Sequence, residues 1–165
     1  TRLEQMLAST DKIEFDLQTV VSGCVEGYQQ VYRDYTFNLN TKVTKLTYKG
    51  SPEHIVQLLD KVINNAVEFS QDKVISLELI SHNEQAELLI HNNGILLPEL
   101  LSESLFDSMV SLRNQNSINS KEQPHLGLGL YIARLICQFH CGKISARNHH
   151  TPDGVTIQII LPTKI

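Results

Sequence analysis

The stretch Asn64-Asn65-Ala66-Val67-Glu68-Phe69-Ser70 closes an amphipathic segment that begins at Ser51-Pro52-Glu53. Apolar residues recur at helical spacing between these two ends, which predicts a helix with one buried stripe. The Ser-Pro pair is typical of a helix start. An asparagine inside such a stripe is unfavourable for packing, so we interpret Asn65 as a binding residue, with a solvated amide as the alternative.

The sequence on both sides of this helix predicts an α+β fold. Apolar periodicity and end signals predict two more helices, residues 17–32 after the cap Asp16 and residues 128–139 before Gly142. Runs of β-branched and apolar residues predict strands that pair in sequence as hairpins. The predicted pairs are residues 36–39 with 43–48, 74–80 with 86–91, and 143–147 with 155–161. We expect a two-layer sandwich, with one mixed β-sheet and helices packed on one face.

Composition limits the possible functions. The chain has 165 residues, 41% hydrophobic and 19% charged, as expected for one compact domain. Its formal charge of -4 and the absence of a long basic run argue against a nucleic-acid partner. No apolar run has the roughly 18 residues that a membrane span needs, so we expect no direct membrane contact from this segment. Three cysteines without a C-x-x-C pair indicate a reducing cytoplasm.

Two further motifs follow the central helix. His91-Asn92-Asn93-Gly94-Ile95-Leu96-Leu97-Pro98 ends a predicted strand, and Gly127-Leu128-Gly129-Leu130 opens a predicted helix. Glycines before a helix let main-chain N–H groups approach a phosphate, where the helix N-terminus adds partial positive charge. An asparagine amide oxygen on the same side is a suitable Mg²⁺ ligand. Asn-Asn-Gly is also ordinary turn chemistry, which leaves a simple turn as the alternative for Asn92 and Gly94.

Together these motifs resemble the ATP-binding catalytic domain of two-component sensor histidine kinases, within the superfamily of gyrase and the mismatch-repair ATPases. Residues 65–70 resemble the N box of that family, and residues 92–98 fall where Asp-x-Gly-x-Gly-Ile-Pro is expected. Leu105-Phe106-Asp107 resembles the F box, and residues 127–130 resemble the second glycine box. Residues 105–111 and 124–130 are also similar to sensor kinases that accompany dedicated sortase systems in proteobacteria.

The resemblance implies a domain that binds ATP and Mg²⁺ and transfers the γ-phosphoryl group to a histidine. It implies that Asn65 holds Mg²⁺. The helical period places Lys61 and Glu68 one turn to either side of Asn65, and we assign both of them catalytic roles beside the metal ligand. The residues implied in ATP binding are Asn65, Phe69, Asn92, Gly94, Leu97, Arg113, Gly127, Leu128, Gly129 and Leu130. For Phe69 a place in the core is the alternative. Residues 110–125 are expected to form a mobile lid, because the stretch is polar and poor in apolar side chains.

The resemblance also implies partners. None of the seven histidines is followed by Glu or Asp, so the acceptor histidine is expected outside this chain. The implied partners are the dimerisation and phosphoacceptor domain of the same kinase and a response regulator. We expect residues 1–12 to be the end of the dimerisation helix and residues 13–165 to be the catalytic domain. The resemblance further implies a cytoplasmic location, as part of a bacterial inner-membrane sensor.

Several residues depart from the family pattern. Asn92 stands where the family has an aspartate that accepts from the adenine amino group, and Leu96 and His125 replace glycines. The charges of Lys61 and Glu68 are exchanged relative to the family pattern. The hypothesis is that Lys61 supplies the cation directed at the phosphates and that Glu68 takes a compensating role near the metal or the attacking group; two solvated side chains are the alternative. These departures leave two alternatives: a pseudokinase that acts through conformational coupling, and a protein-binding domain without nucleotide.

The run Cys137-Gln138-Phe139-His140-Cys141 also allows a zinc interpretation. Structural zinc usually takes four ligands, often as two spaced pairs, and no second pair accompanies this run. The alternative is an ordinary helix end.

Overall fold

The computed structural model of the chain describes residues 2–98, 106 and 128–164. The helices in these residues are α1 (Arg2–Ala8), α2 (Leu17–Val31), α3 (Pro52–Phe69) and α4 (Leu128–Phe139). The strands are β1 (Ile13–Asp16), β2 (Thr36–Thr41), β3 (Thr47–Gly50), β4 (Ser70–His82), β5 (Gln85–Gly94), β6 (Lys143–His149) and β7 (Gly154–Pro162). None of the described helices is long and apolar enough to cross a membrane.

Within the described residues, the main sheet has five strands in the order β2-β4-β5-β7-β6. Strand β2 runs parallel to β4, and the other neighbours are antiparallel. Alternate residues along the strands are buried. In β4 these buried residues are Ile75, Leu77 and Leu79. Helices α2, α3 and α4 contribute further buried side chains to the same core. The predicted α+β sandwich with a mixed sheet and helices on one face is confirmed.

Helix α3 begins and ends as the sequence predicts. Ser51 is its N-cap, with the hydroxyl facing the N–H of His54, and Pro52 lies in the first turn. Its buried apolar stripe is Ile55, Leu58, Leu59, Val62, Ile63, Ala66 and Phe69. Burying one large apolar side chain contributes about 1.5–3 kcal/mol. The stripe therefore fixes α3 against α4 and β5, the elements that it contacts most.

The predicted hairpin of residues 36–39 and 43–48 is wrong. Strand β2 pairs with β4, and β3 pairs antiparallel with β1, a strand that the sequence analysis did not predict. The cap of α2 explains the change of direction. Oδ1 of Asp16 accepts from the N–H of Gln18 at 3.1 Å and from the N–H of Leu46 at 2.9 Å. Because these bonds draw Leu46 to the start of α2, the chain leaves β2 and enters the second, two-stranded sheet.

The other two predicted hairpins, β4–β5 and β6–β7, are confirmed. Helix α4 has the predicted bounds, but the role assigned to Gly142 needs correction. The residue in the left-handed conformation is Cys141, with φ 59°. Gly142 is required for a different reason, because a Cβ there would overlap the carbonyl oxygen of Ile160 on β7.

The cysteine and histidine side chains at the end of α4 do not share a ligand site. Cys137 is buried and Cys141 is exposed. Both ring nitrogens of His140 are engaged: Nε2 accepts from the N–H of Ser51 at 3.0 Å, and Nδ1 donates to the carbonyl of Ile136 at 2.8 Å. Burial lowers the pKa of His140, in agreement with a neutral ring. The described side chains contain no group of three or more His, Cys, Asp or Glu arranged to hold a metal.

Helix α1 lies against the end of α4. Leu7 of α1 is buried, and the ammonium group of Lys12 lies 4.8 Å from the centroid of the Phe139 ring. A cation over an aromatic face is a favourable arrangement. The interpretation of residues 1–12 as the end of a dimerisation helix stays a prediction.

Candidate functional site

Helix α3 presents Asn65 on a half-buried part of its surface. None of the described residues forms a hydrogen bond with this side chain. Its amide oxygen is a hard ligand of the kind that Mg²⁺ takes, and Mg²⁺ usually fills its remaining positions with phosphate oxygens and water. The donor chemistry of Asn65 therefore fits the predicted magnesium role.

Lys61 lies one turn before Asn65 and reaches the start of α4. A Cβ placed on Gly129 would lie 3.8 Å from Cδ of Lys61 and 3.9 Å from its Cβ. The lysine stem thus lies close to the glycine-containing start of α4, at the distance where a side chain at position 129 would touch it. The structure brings together two of the predicted site residues, although they are far apart in sequence.

Glu68 has different surroundings. It lies close enough to Tyr32 for its charge to affect that phenol: burial is the main cause that raises the pKa of Tyr32, and the charges of Asp60 and Glu68 add to it. Seven residues of helix separate Glu68 from Lys61, a rise of about 10 Å. Glu68 therefore lies near the end of α2, whereas Lys61 lies near the start of α4.

Asn92 faces the helices from the end of β5. It is 4% exposed and lies between two buried apolar residues, Ile75 on β4 and Val155 on β7. Its side-chain nitrogen, Nδ2, has no hydrogen-bond partner in the part of the chain that the structure describes. Leaving a buried donor unsatisfied costs about 1–3 kcal/mol. Asn92 is therefore prepared for a ligand that offers an acceptor, which a purine base does.

Gly94 joins the end of β5 to the end of α3. Its φ is +155°, and a Cβ there would overlap the carbonyl oxygen of Phe69. Its N–H donates to the carbonyl of Asp153 at 2.8 Å. The ring of Phe69 belongs to the hydrophobic core, as does the predicted ATP-binding residue Leu130. Glycine at this position thus allows two main-chain segments to meet beside Asn92.

The segment after β5 is held by a residue that the sequence analysis missed. The carboxamide of Asn148 on β6 forms two hydrogen bonds with the main chain of Leu97. Ile144, Ala146 and Asn148 alternate on the helix-facing side of β6. A polar residue at the third of these positions breaks the apolar alternation, and that signal was available in the sequence.

Other predicted site residues are only partly described. Arg113, Gly127 and the expected lid at residues 110–125, which includes His125, lie outside the described residues. Leu128 is described as the first residue of α4. Phe106, from the motif that resembles the F box, is buried and lines a cavity with Arg134 and Cys137 of α4.

Residues 50–165 match the family model of the histidine kinase-, DNA gyrase B- and HSP90-like ATPases. The chain belongs to this family. It is 24% identical over 170 residues to the sensor protein kinase WalK of Staphylococcus aureus, an alignment that covers 99% of this chain and 40% of that protein. With WalK of another strain the covered share of the relative is 27%. The chain thus spans less than half the length of these curated relatives.

Solved structures show the same fold. The catalytic domain of histidine kinase ThkA superposes with a TM-score of 0.78 at 23% identity, over 93% of this chain and 97% of that chain. The mycobacterial sensor histidine kinase MprB gives 0.76 at 21% identity, over 93% and 98% of the two chains. The resemblance predicted from the motifs is confirmed: the chain belongs to the ATPase family that includes the histidine kinases, and it has the fold of solved histidine kinase catalytic domains. The more specific resemblance to sortase-associated kinases stays a prediction.

Proposed function

We propose that this domain binds ATP together with Mg²⁺ and transfers the γ-phosphoryl group to a histidine outside residues 1–165. The proximity of the Lys61 stem to Gly129 carries the proposal. It brings the helix that presents Asn65 to a helix N-terminus, and such a terminus favours phosphate groups through its free N–H groups and its dipole.

Each side chain has a separate task in this proposal. The amide oxygen of Asn65 holds Mg²⁺, which when bound offsets negative charge on the phosphates. The ammonium group of Lys61 adds a cation directed at the terminal phosphate, and the main-chain N–H of Gly129 lies at the same helix start. Asn92 and Gly94 hold the adenine. Phosphoryl transfer depends mainly on such positioning and charge neutralisation.

The reaction balances without a base from this chain. A ring nitrogen of the acceptor histidine forms a bond to the γ-phosphorus, while the bond from that phosphorus to the β,γ-bridging oxygen breaks. The bridging oxygen keeps the electron pair and leaves with ADP. The proton lost from the acceptor ring goes to a base on the acceptor domain. The residues described above bind and orient the triphosphate.

Two protein partners follow from the proposal. The acceptor histidine requires a dimerisation domain, and the phosphoryl group then passes to an aspartate of a response regulator. Histidine kinase ThkA has been solved in complex with the response regulator TrrA, in a structure that matches 93% of this chain at a TM-score of 0.75. That structure supports a response-regulator partner here by analogy of fold.

Calorimetry with ATP and ADP, with and without Mg²⁺, tests nucleotide binding. We expect Mg²⁺ to strengthen ATP binding to the unmodified chain, and we expect Asn65→Ala to remove that strengthening. The matched control is Asn64→Ala, which truncates the exposed neighbouring asparagine of the same helix. Unfolding curves of both variants check that the fold is intact. Absence of binding heat at millimolar nucleotide, a free energy of about -4 kcal/mol, would contradict the proposal and favour a protein-binding domain.

Phosphotransfer is tested in the complete kinase with radiolabelled ATP. We expect label on the acceptor histidine and its loss in the Asn65→Ala variant. Nucleotide binding without label would instead establish a pseudokinase.

A further inference from the structure

Resting on the nucleotide site just proposed, we propose that Asn92 reads the six-position edge of a purine with both atoms of its carboxamide, so that the site accepts 6-oxopurine nucleotides as well as ATP. The inference begins with the unpartnered Nδ2 of this buried side chain.

Among the described residues, none accepts a hydrogen bond from this nitrogen. The residues directly opposite on the two neighbouring strands are Ile75, 0% exposed, and Val155, 5% exposed. No described residue accepts from Nδ2, so a ligand on the helix-facing side of the sheet can supply the missing acceptor.

A carboxamide and a carboxylate make different demands on that ligand. An ionised carboxylate only accepts hydrogen bonds, whereas the asparagine amide accepts at Oδ1 and donates at Nδ2. Adenine offers a donor at its amino group and an acceptor at N1, and asparagine pairs with such donor–acceptor edges through two bonds. A second bond from Nδ2 to N1 would thus satisfy the orphaned donor.

Hypoxanthine presents the same two positions with the roles exchanged, an acceptor at O6 and a donor at N1. Rotation of the amide by about 180° exchanges Oδ1 and Nδ2 without changing its shape. In the described structure no hydrogen bond holds Nδ2 in place, so this rotation breaks no bond to that atom. Asn92 therefore matches a 6-aminopurine in one orientation and a 6-oxopurine in the other.

The test compares the affinities of the 165-residue chain for four Mg²⁺-bound nucleotides: ATP, ITP, purine riboside triphosphate and CTP. We expect ITP to bind within about tenfold of ATP, and we expect purine riboside triphosphate to bind more weakly than both because it has no group at position six. CTP should bind most weakly, since a pyrimidine does not reach the same edge.

Asn92→Asp supplies the matched variant, because it keeps the size of the side chain and removes the donor. We expect ITP to lose at least about tenfold relative to ATP, since a carboxylate repels O6. The control is Asn38→Asp, the same change on the exposed edge strand β2, which should leave the ratio unchanged. The nucleotide series on the unmodified chain decides the question even if Asn92→Asp does not fold.

Three results would overturn the inference. ITP more than about 100-fold weaker than ATP would show that the edge is read by an acceptor alone. Equal affinities for all four nucleotides would show that the base is not read, while the proposed triphosphate site would stand. Absence of binding by any of them would remove the nucleotide site itself.

Discussion

Asn148 binds the main chain of Leu97 with both atoms of its carboxamide. Oδ1 accepts from the N–H of Leu97 and Nδ2 donates to its carbonyl, each at 2.8 Å. The pair joins β6 to the segment that follows β5, and the side chain of Leu97 is buried. The two bonds therefore fix the chain directly beyond Gly94, where the strand leaves the sheet.

Asn148→Ala should destabilise the chain by about 2 kcal/mol, because it leaves two main-chain groups of Leu97 without partners. Urea unfolding measures this change. The control is Asn40→Ala, an exposed asparagine of β2, which should change the stability by less than about 0.5 kcal/mol. Equal stability of the two variants would show that water replaces the lost bonds.

Substitution of glycine by alanine should change the stability in opposite directions at two positions, Gly94 and Gly23. Gly94→Ala should destabilise the chain strongly, by about 3 kcal/mol or more, because the added Cβ overlaps the carbonyl oxygen of Phe69 at a left-handed φ. Gly23→Ala should stabilise it by about 0.5–1 kcal/mol, since Gly23 is an exposed residue inside α2 with open space around it. Thermal unfolding of both variants checks the signs, and a stable Gly94→Ala protein would contradict the close approach.

The helices were predictable because their information is local. The stripe of α3 and its cap Ser51 lie within one stretch of sequence, and the same is true of Asp16 and α2. The pairing of β1 with β3 was not predictable in this way. It depends on the bond from Leu46 to Asp16, thirty residues apart, which no periodicity reports.

The site was predictable in its parts but not in its contacts. Motif order named Asn65, Asn92 and Gly129 from the sequence. The meeting of Lys61 with Gly129 depends on how α3 packs on α4, and the isolation of Nδ2 of Asn92 depends on which residues stand opposite it. Both features belong to the tertiary structure, because they depend on strand register and helix packing, which local sequence patterns do not determine.

Lys61→Met should weaken ATP binding by about tenfold and leave ADP binding nearly unchanged, a difference of about 1.4 kcal/mol. Methionine keeps most of the stem that packs near Gly129 and removes the ammonium group, so the loss reports charge rather than packing. Lys49→Met, on the exposed face of β3, is the control. Equal weakening of both nucleotides would place the ammonium group away from the terminal phosphate.

A double-mutant cycle with Lys61→Glu and Glu68→Lys measures whether the exchanged charges act together. Because Glu68 lies near Tyr32 and Lys61 near Gly129, we expect their effects on ATP affinity to add. Recovery of ATP affinity in the double variant beyond additivity would instead show that both side chains reach one phosphate.

On the face of the sheet opposite the helices, four hydrogen bonds connect side chains in a row. The carboxylate at one end determines which group donates in each bond. The carboxylate of Asp72 accepts from Nδ2 of Asn93 at 2.9 Å, so Oδ1 of Asn93 accepts from Nε2 of His149 at 3.1 Å. Neutral His149 then has a bare Nδ1, which accepts from the hydroxyl of Thr156 at 2.9 Å. Since that hydroxyl has one proton, it accepts in turn from Nδ1 of His91 at 2.8 Å.

The order of donors and acceptors predicts the tautomer of each neutral histidine. The proton lies on Nε2 of His149 and on Nδ1 of His91. Long-range ¹H–¹⁵N spectra at pH 8 report these tautomers directly. A proton on Nε2 of His91 at that pH would contradict the chain of bonds.

The same histidines predict how stability depends on pH. Burial is the main cause that lowers the pKa of His91 and of His149 below the ordinary histidine value, so the folded chain binds these protons less readily than the unfolded chain. The stabilisation is complete above the unfolded pKa of about 6.5 and is lost as the pH falls through and below it. Urea unfolding at pH 7.5 and 5.5 should show this loss. His91→Gln should make it smaller, whereas His82→Gln, at the exposed end of β4, should leave it unchanged.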